Sequence, residues 1–92
     1  MQGSLLRGVD LDRAQLGEAD LREAVLEQAY MRCADLQGAD TRGANLRGAR
    51  VDGADLRCDG LEEANLKEAL YDEQTKFPQD FDPEQHGMFL IS

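Results

Sequence analysis

In the stretch Ala34-Asp35-Leu36-Gln37-Gly38-Ala39-Asp40-Thr41-Arg42-Gly43-Ala44-Asn45-Leu46-Arg47-Gly48, one unit of five residues follows another three times. Each unit opens on Ala, centres on Leu or Thr two residues later, and closes on Gly. Working outward, the centres continue as Leu6, Leu11, Leu16, Leu21, Leu26 and Met31 on one side. On the other they continue as Val51, Leu56, Leu61, Leu66 and Tyr71, so that Thr41 alone breaks the apolar column. The position two residues before each centre is Ala, apart from Ser4, Val9 and Asp59. Fourteen consecutive units thus run from Ser4 to Tyr71.

A helix cannot use this period, because five residues advance about 500° around its axis and would scatter the leucines over the whole cylinder. In an extended segment, residues two apart share a face, so each Ala and its Leu point the same way. The step from Leu to the next Ala is three, which demands a bend in every unit. A chain that bends the same way at each unit closes into a coil, and coils stack through backbone hydrogen bonds at about 4.8 Å. Ala suits the inward place beside the bend, where a larger side chain would meet the other walls. Gly8, Gly38, Gly43, Gly48 and Gly53, each two residues after a centre, relieve the bend itself.

The units Ala34-Asp35-Leu36-Gln37-Gly38, Ala44-Asn45-Leu46-Arg47-Gly48 and Ala54-Asp55-Leu56-Arg57-Cys58 resemble the A(D/N)LxX motif of the pentapeptide-repeat family. The resemblance implies an all-β fold: a right-handed, four-sided parallel β-helix with twenty residues per coil, and hence about 3.5 coils over residues 4–71. Stacking at that interval sets Arg7 under Glu27 under Arg47, Asp12 under Arg32 under Asp52, and Arg42 under Glu62. Residues 72–92 depart from the period. There Asp82 as N-cap, Pro83 at the first position, Gln85 in a capping box and Gly87 as terminator predict one helical turn. Phe77, Phe81, Met88, Phe89, Leu90 and Ile91 carry much of the large apolar surface, and the segment reads as a C-terminal cap over the last coil.

Nineteen acidic residues against ten Lys and Arg give a formal charge of −9. Such a balance opposes direct binding to nucleic-acid phosphates. No run of 18 apolar residues is present, which argues against a membrane span, and the Met1-Gln2-Gly3-Ser4-Leu5-Leu6-Arg7 start lacks a basic stretch followed by an apolar run. A cytoplasmic location is expected, unless a targeting segment precedes Met1.

Groups able to do chemistry are few. His86 is the sole histidine and reads as a surface residue of the cap turn; Cys33 and Cys58, 25 residues apart, fall on neighbouring walls, too far for a disulfide. With no Cys/His cluster, neither a metal site nor a cofactor site is expected. Carboxylates repeat along a convex rod rather than converge in a cleft, so no catalytic residue is assigned and the chain does not read as an enzyme. Asp59, at an inward position and followed by Gly60, is the exception. An inward carboxylate needs hydrogen-bond partners, from backbone N–H groups or from the cap.

Charge is placed unevenly. Residues 14–23, 34–43 and 54–63, two adjacent sides of the coil, hold nine acids and three bases, whereas the other two sides up to Tyr71 hold five acids and six bases. The expected function is a non-catalytic structural or interaction module that binds a protein partner through a solenoid face. Its candidate surface comprises Asp20, Asp35, Asp40 and Asp55 on the acidic half, with Leu5 and Val25 in one outward column and Tyr30 on the next side. The family resemblance implies an alternative, a DNA-mimicking binder of DNA gyrase or another nucleic-acid-binding protein, since some longer members resemble duplex DNA in shape and charge and bind DNA gyrase. A homodimer through a solenoid end is the further expectation, because bare coil ends recruit partners.

Overall fold

The computed structural model describes residues 3–91. Met1 and Gln2, part of the N-terminal stretch read above, and Ser92 of the tail lie outside the described residues. Parallel bridges link residues twenty apart in four columns, one per side: Leu5–Val25–Asn45–Asn65, Asp10–Tyr30–Arg50–Leu70, Gln15–Asp35–Asp55 and Asp20–Asp40. Most sides contribute a single bridging residue rather than a strand, because a unit of five that spends two residues on a turn leaves only one in ladder geometry. Among the described residues, strands of two residues appear only at the C-terminal end, where β1 (Leu70–Tyr71) pairs in parallel with β2 (Phe89–Leu90).

Each bend is closed by a hydrogen bond from the Ala N–H to the carbonyl of the preceding centre, as from Ala29 to Leu26 at 3.1 Å. The residue two after the centre has positive φ in regular units, whether it is Gly43 at 72° or Glu23 at 59°. A hydrogen bond spanning three residues with positive φ at its third residue is a type II turn, which explains the recurrent glycine. The residue before the Ala position thus follows from turn geometry. The Asp or Asn preceding the centre has its own reason: its side-chain oxygen accepts the N–H two residues on, as Asp35 does from Gln37 at 2.9 Å and Asn45 from Arg47 at 3.1 Å. That N–H has no ladder partner, so an Asx side chain satisfies it.

Inside, the Ala and Leu columns are shut off from water: Ala24, Leu26, Ala29, Met31, Leu36, Leu46, Val51 and Leu56 are fully buried. Burial of a Leu-sized side chain is worth about 1.5–3 kcal/mol, so this column holds the coil together.

One corner departs from the pattern. After Leu56 the N–H of Cys58 reaches back to Leu56 O at 2.8 Å, a tighter turn than the usual one. Cys58 thereby takes the inward place above Ala39, and Asp59 bridges Asp40 at a spacing of nineteen. Asp59 is therefore exposed, not inward as the period predicts; its N–H binds Ala39 O at 2.8 Å and its carbonyl accepts Thr41 N at 2.9 Å. The lost residue is restored at once by a 3-10 turn, Leu61–Glu63, entered through Gly60 at φ 75°, and Asn45 again meets Asn65 at twenty. Thr41 belongs to the same feature. It is buried, and its hydroxyl donates to Asp59 O at 2.9 Å and lies 3.6 Å from Cys58 Sγ.

The ladder also continues past Tyr71. Lys76 bridges Asp55 at a spacing of 21, with Asp72 and Thr75 closing the extra residue. Asp72 Oδ1 accepts Gly53 N at 2.9 Å, taking the role of a missing backbone carbonyl, while Thr75 Oγ1 donates to Val51 O at 3.1 Å. The second 3-10 turn, Pro83–His86, has the expected Asp82 cap, Pro83 start and Gly87 stop; the Asp82 side chain accepts Glu84 N at 3.0 Å, and Gln85 is exposed. Of the apolar tail, Met88 is buried and Phe77 and Phe81 pack on the core, but Phe89 and Leu90 are 55% and 58% exposed. His86 is half-buried rather than a plain surface residue, its ring stacked on Phe81 at 4.5 Å, with Phe77 and Tyr71 continuing the series.

Candidate interaction surface

Alternation along each side aims three residues outward: the Asx position, the residue two after it, and the corner residue. The chain therefore sets residues i and i+2 beside each other on one wall. Asp20-Leu21-Arg22, Asp40-Thr41-Arg42 and Asp55-Leu56-Arg57 use this spacing for ion pairs of 2.8, 2.7 and 2.8 Å. Each Arg also donates a second bond through Nε, at 2.9, 3.0 and 2.9 Å, which makes the pairs two-pronged. Hydrogen bonds from those arginine side chains hold the carboxyls of Asp20, Asp40 and Asp55 below their ordinary value.

Vertical stacking of charges alone does not give these horizontal pairs; the thrice-repeated Asp-x-Arg is their signal in the sequence. Two vertical rungs form as expected, Arg7–Glu27 at 3.1 Å and Asp12–Arg32 at 2.6 Å. Elsewhere the cation turns to a nearer acid: Arg47 pairs with Glu68, Arg42 with Asp40, and Arg50 with Asp52. Exposed pairs of this kind contribute about 0–1 kcal/mol each, so they define the surface more than they stabilise it.

The acidic residues named from sequence fall in two columns, Asp20 with Asp40 and Asp35 with Asp55. Three of the four are internally paired, and among the described residues Asp35 forms no ion pair. Leu5 and Val25 bridge each other in a third column, Leu5 69% exposed and Val25 half-buried. Tyr30 stands in the adjacent column, 45% exposed, with the Arg32 guanidinium 5.7 Å from its ring centre. The arrangement brings Leu5, Val25 and Tyr30 onto neighbouring sides, framed by the Arg7–Glu27 and Asp12–Arg32 pairs.

Both cysteines are free thiols, Cys33 exposed and Cys58 half-buried, and burial pushes the Cys58 thiol up despite its contact with Thr41. Among the described residues no group of three or more His, Cys, Asp or Glu is placed to hold a metal ion, and no helix is long and apolar enough to cross a membrane. A shallow cleft of about 300 Å³ lies between the irregular corner and the cap, walled by Cys58, Gly60, Leu61, Pro78 and Phe81, with Glu62 and Glu63 at its rim.

The family model for pentapeptide repeats (8 copies) matches residues 10–46 and 19–57, together more than half of the chain. Among solved structures, a pentapeptide repeat protein from Nostoc Pcc 7120 is 38% identical with a TM-score of 0.56, over 97% of this chain and 78% of that one. Another, from the cyanobacterium Cyanothece 51142, is 34% identical with a TM-score of 0.68, over 82% of this chain and 54% of that one. This chain thus spans about half the length of the Cyanothece protein. No curated protein sequence matches the chain. The period of five, the four bridge columns twenty residues apart and these likenesses agree: the chain belongs to the pentapeptide repeat family.

Proposed function

We propose that this chain is a non-catalytic interaction module that binds a protein partner through the wall carrying Leu5, Val25 and Tyr30. Pentapeptide repeat proteins are right-handed quadrilateral β-helices and generally non-catalytic. In this reading residues 4–71 form a solenoid of about 3.5 coils and residues 72–92 its cap. The observation that carries the choice of wall is the exposure of Leu5 and Tyr30, at 69% and 45%, on adjacent columns whose flanking charges already neutralise each other. Aromatic and aliphatic side chains inside a paired-charge rim match the anatomy of protein interfaces. The acidic wall is the weaker candidate, because Asp20, Asp40 and Asp55 are engaged by their own arginines.

The same pairing weighs against imitation of duplex DNA, whose phosphates form an unbroken row of negative charge. Supercoiling by DNA gyrase should accordingly proceed unchanged in excess of this protein. Cytoplasmic location, and homodimer formation through a solenoid end, remain part of the proposal; fractionation and light scattering test them.

Native pull-down with the wild type, a Leu5→Lys/Tyr30→Ala variant and an Asp20→Asn/Asp55→Asn variant tests the wall. A protein held by the wild type and the Asn variant but lost from the Leu5/Tyr30 variant supports the reading. Loss through the Asn variant alone moves the interface to the acidic wall and ends it.

A further inference from the structure

The chain contains two Asp-Gly dipeptides, Asp52-Gly53 and Asp59-Gly60, and the fold treats them oppositely. Among aspartyl dipeptides Asp-Gly is the most prone to intramolecular cyclisation, since glycine leaves its own N–H unshielded and its backbone free to turn. Reaction needs a nucleophilic amide nitrogen with no other engagement and a carboxyl group free to approach it.

At Asp52-Gly53 both are tied. Gly53 N–H donates to Asp72 Oδ1 at 2.9 Å and Thr75 Oγ1 at 3.2 Å, and Asp52 Oδ1 accepts Arg50 Nε at 3.2 Å. At Asp59-Gly60 neither is. Among the described residues Gly60 N–H donates no hydrogen bond, and the exposed Asp59 side chain accepts none and forms no ion pair. Gly60 also opens the 3-10 turn at the irregular corner, where the coil is one residue short.

We propose that Asp59-Gly60 is a site of spontaneous isoaspartate formation in the folded protein, and that Asp52-Gly53 is protected by the Asp72–Thr75 latch. Gly60 N attacks the protonated Asp59 carboxyl carbon; the new C–N bond forms as the carboxyl C–OH bond breaks, and one water leaves with the amide proton. Water then opens the resulting succinimide. Opening at the main-chain carbonyl leaves an isoaspartyl link, isomeric with the starting chain and one methylene longer in its backbone. That opening turns the Asp59 carbonyl, which receives the Thr41 N–H and hydroxyl, into a free carboxylate. The modification therefore lengthens the chain at the shortened corner and alters the contact that joins it to the coil below.

The test incubates the folded full chain at neutral pH and measures isoaspartate at each dipeptide, by isomer-resolved peptide mapping with electron-transfer fragmentation. Enzymatic methylation of isoaspartyl carboxylates with S-adenosylmethionine gives a second readout. Position 59 should exceed position 52 by about tenfold or more, the factor that about 1.4 kcal/mol of local opening confers. In denaturant the two should react at similar rates. An Asp72→Ala variant that remains folded should raise position 52 and leave position 59 as it was. Equal conversion at both positions in the folded wild type overturns the proposal. So does an unreacted Asp59 over a period in which the denatured chain converts.

Discussion

The regular corners, such as Leu46 to Ala49, and the irregular one at Leu56 to Leu61 solve the same problem by different routes. A regular corner uses a type II turn with one residue at positive φ and keeps Ala inside. The irregular corner drops a residue, places Cys58 inside, and recovers the residue through Gly60 and a 3-10 turn. The core column runs on through both, since Leu56 and Leu61 stay buried. Within the repeats coil register, not unit length, is what the fold conserves: the spacing of nineteen at Asp40–Asp59 is absorbed locally and twenty returns at Asn45–Asn65, whereas the tail pairs at 21 (Asp55–Lys76) and then at nineteen (Leu70–Phe89). The irregular corner also leaves an amide and a carboxylate without partners, whereas regular units that carry Asp or Asn before the centre, such as those of Leu36 and Leu46, fill the outward N–H with its side-chain oxygen.

The largest break in this comparison should come from the shared column. Leu36→Ala or Leu46→Ala should cost about 2–5 kcal/mol in chemical denaturation, because rigid coils cannot close the cavity. A loss under about 0.5 kcal/mol would mean that these side chains do not stack inside. Next comes the glycine contrast. A Cβ at Gly60 would collide with Arg42 Cγ and come within 3.1 Å of Arg42 N, at φ 75°. At Gly53 the nearest atom is Cys33 Sγ at 3.0 Å, the end of a side chain able to move. Gly60→Ala should therefore destabilise by about 2–4 kcal/mol and Gly53→Ala by about 1–2, the ordinary cost of positive φ. Equal losses would show that the irregular corner is no tighter than the rest.

Thr41→Val keeps the shape of the side chain and removes the donor to Asp59 O, so a loss of about 1 kcal/mol is expected. The one break in the apolar column is thus a position whose hydroxyl has a structural partner, the Asp59 carbonyl. An unchanged denaturation midpoint would show that the bond contributes nothing.

Acid should act more gently. Asp12, Asp20, Asp40 and Asp55 are lowered from 3.8 chiefly by arginine hydrogen bonds. For Asp72 burial pushes the other way, but the bonds from Gly53, Thr75 and Gln74 together prevail. Depressed carboxyls bind protons more weakly in the folded chain than in the unfolded one. Their contribution is present above about pH 4 and lost as pH falls below it. The urea midpoint should hold from pH 7 to 5 and decline below 4; a midpoint that rises on acidification would contradict the pairing. Smallest of all is the thiol contrast, which leaves stability alone. Cys33 should alkylate faster than Cys58, whose thiol is buried and pushed up. The reverse order would place Cys58 outside.

Much of the candidate surface was legible from sequence, because outward columns follow from period and coil length: Leu5 meets Val25, Asp20 meets Asp40, and Asp35 meets Asp55. Its chemistry was not, since vertical stacking says nothing of which neighbour an arginine prefers. Arg42 lies nearer to the acid two residues behind it than to Glu62 a coil above. Burial of His86 on Phe81, and exposure of Phe89 and Leu90, likewise depended on how the tail folds back as β2 against β1.

By itself the sequence determined the bend at every fifth residue and the Ala and Leu columns, while four sides per coil came from the family resemblance. The bend and the columns are consequences of sterics within one unit, repeated along the chain. Only the tertiary structure decided where Asp59 points, why Thr41 replaces Leu, and why Asp72 and Thr75 follow the last unit. In each case the deciding hydrogen bond joins residues 18 to 24 apart, on successive coils, and exists only once the coils are stacked.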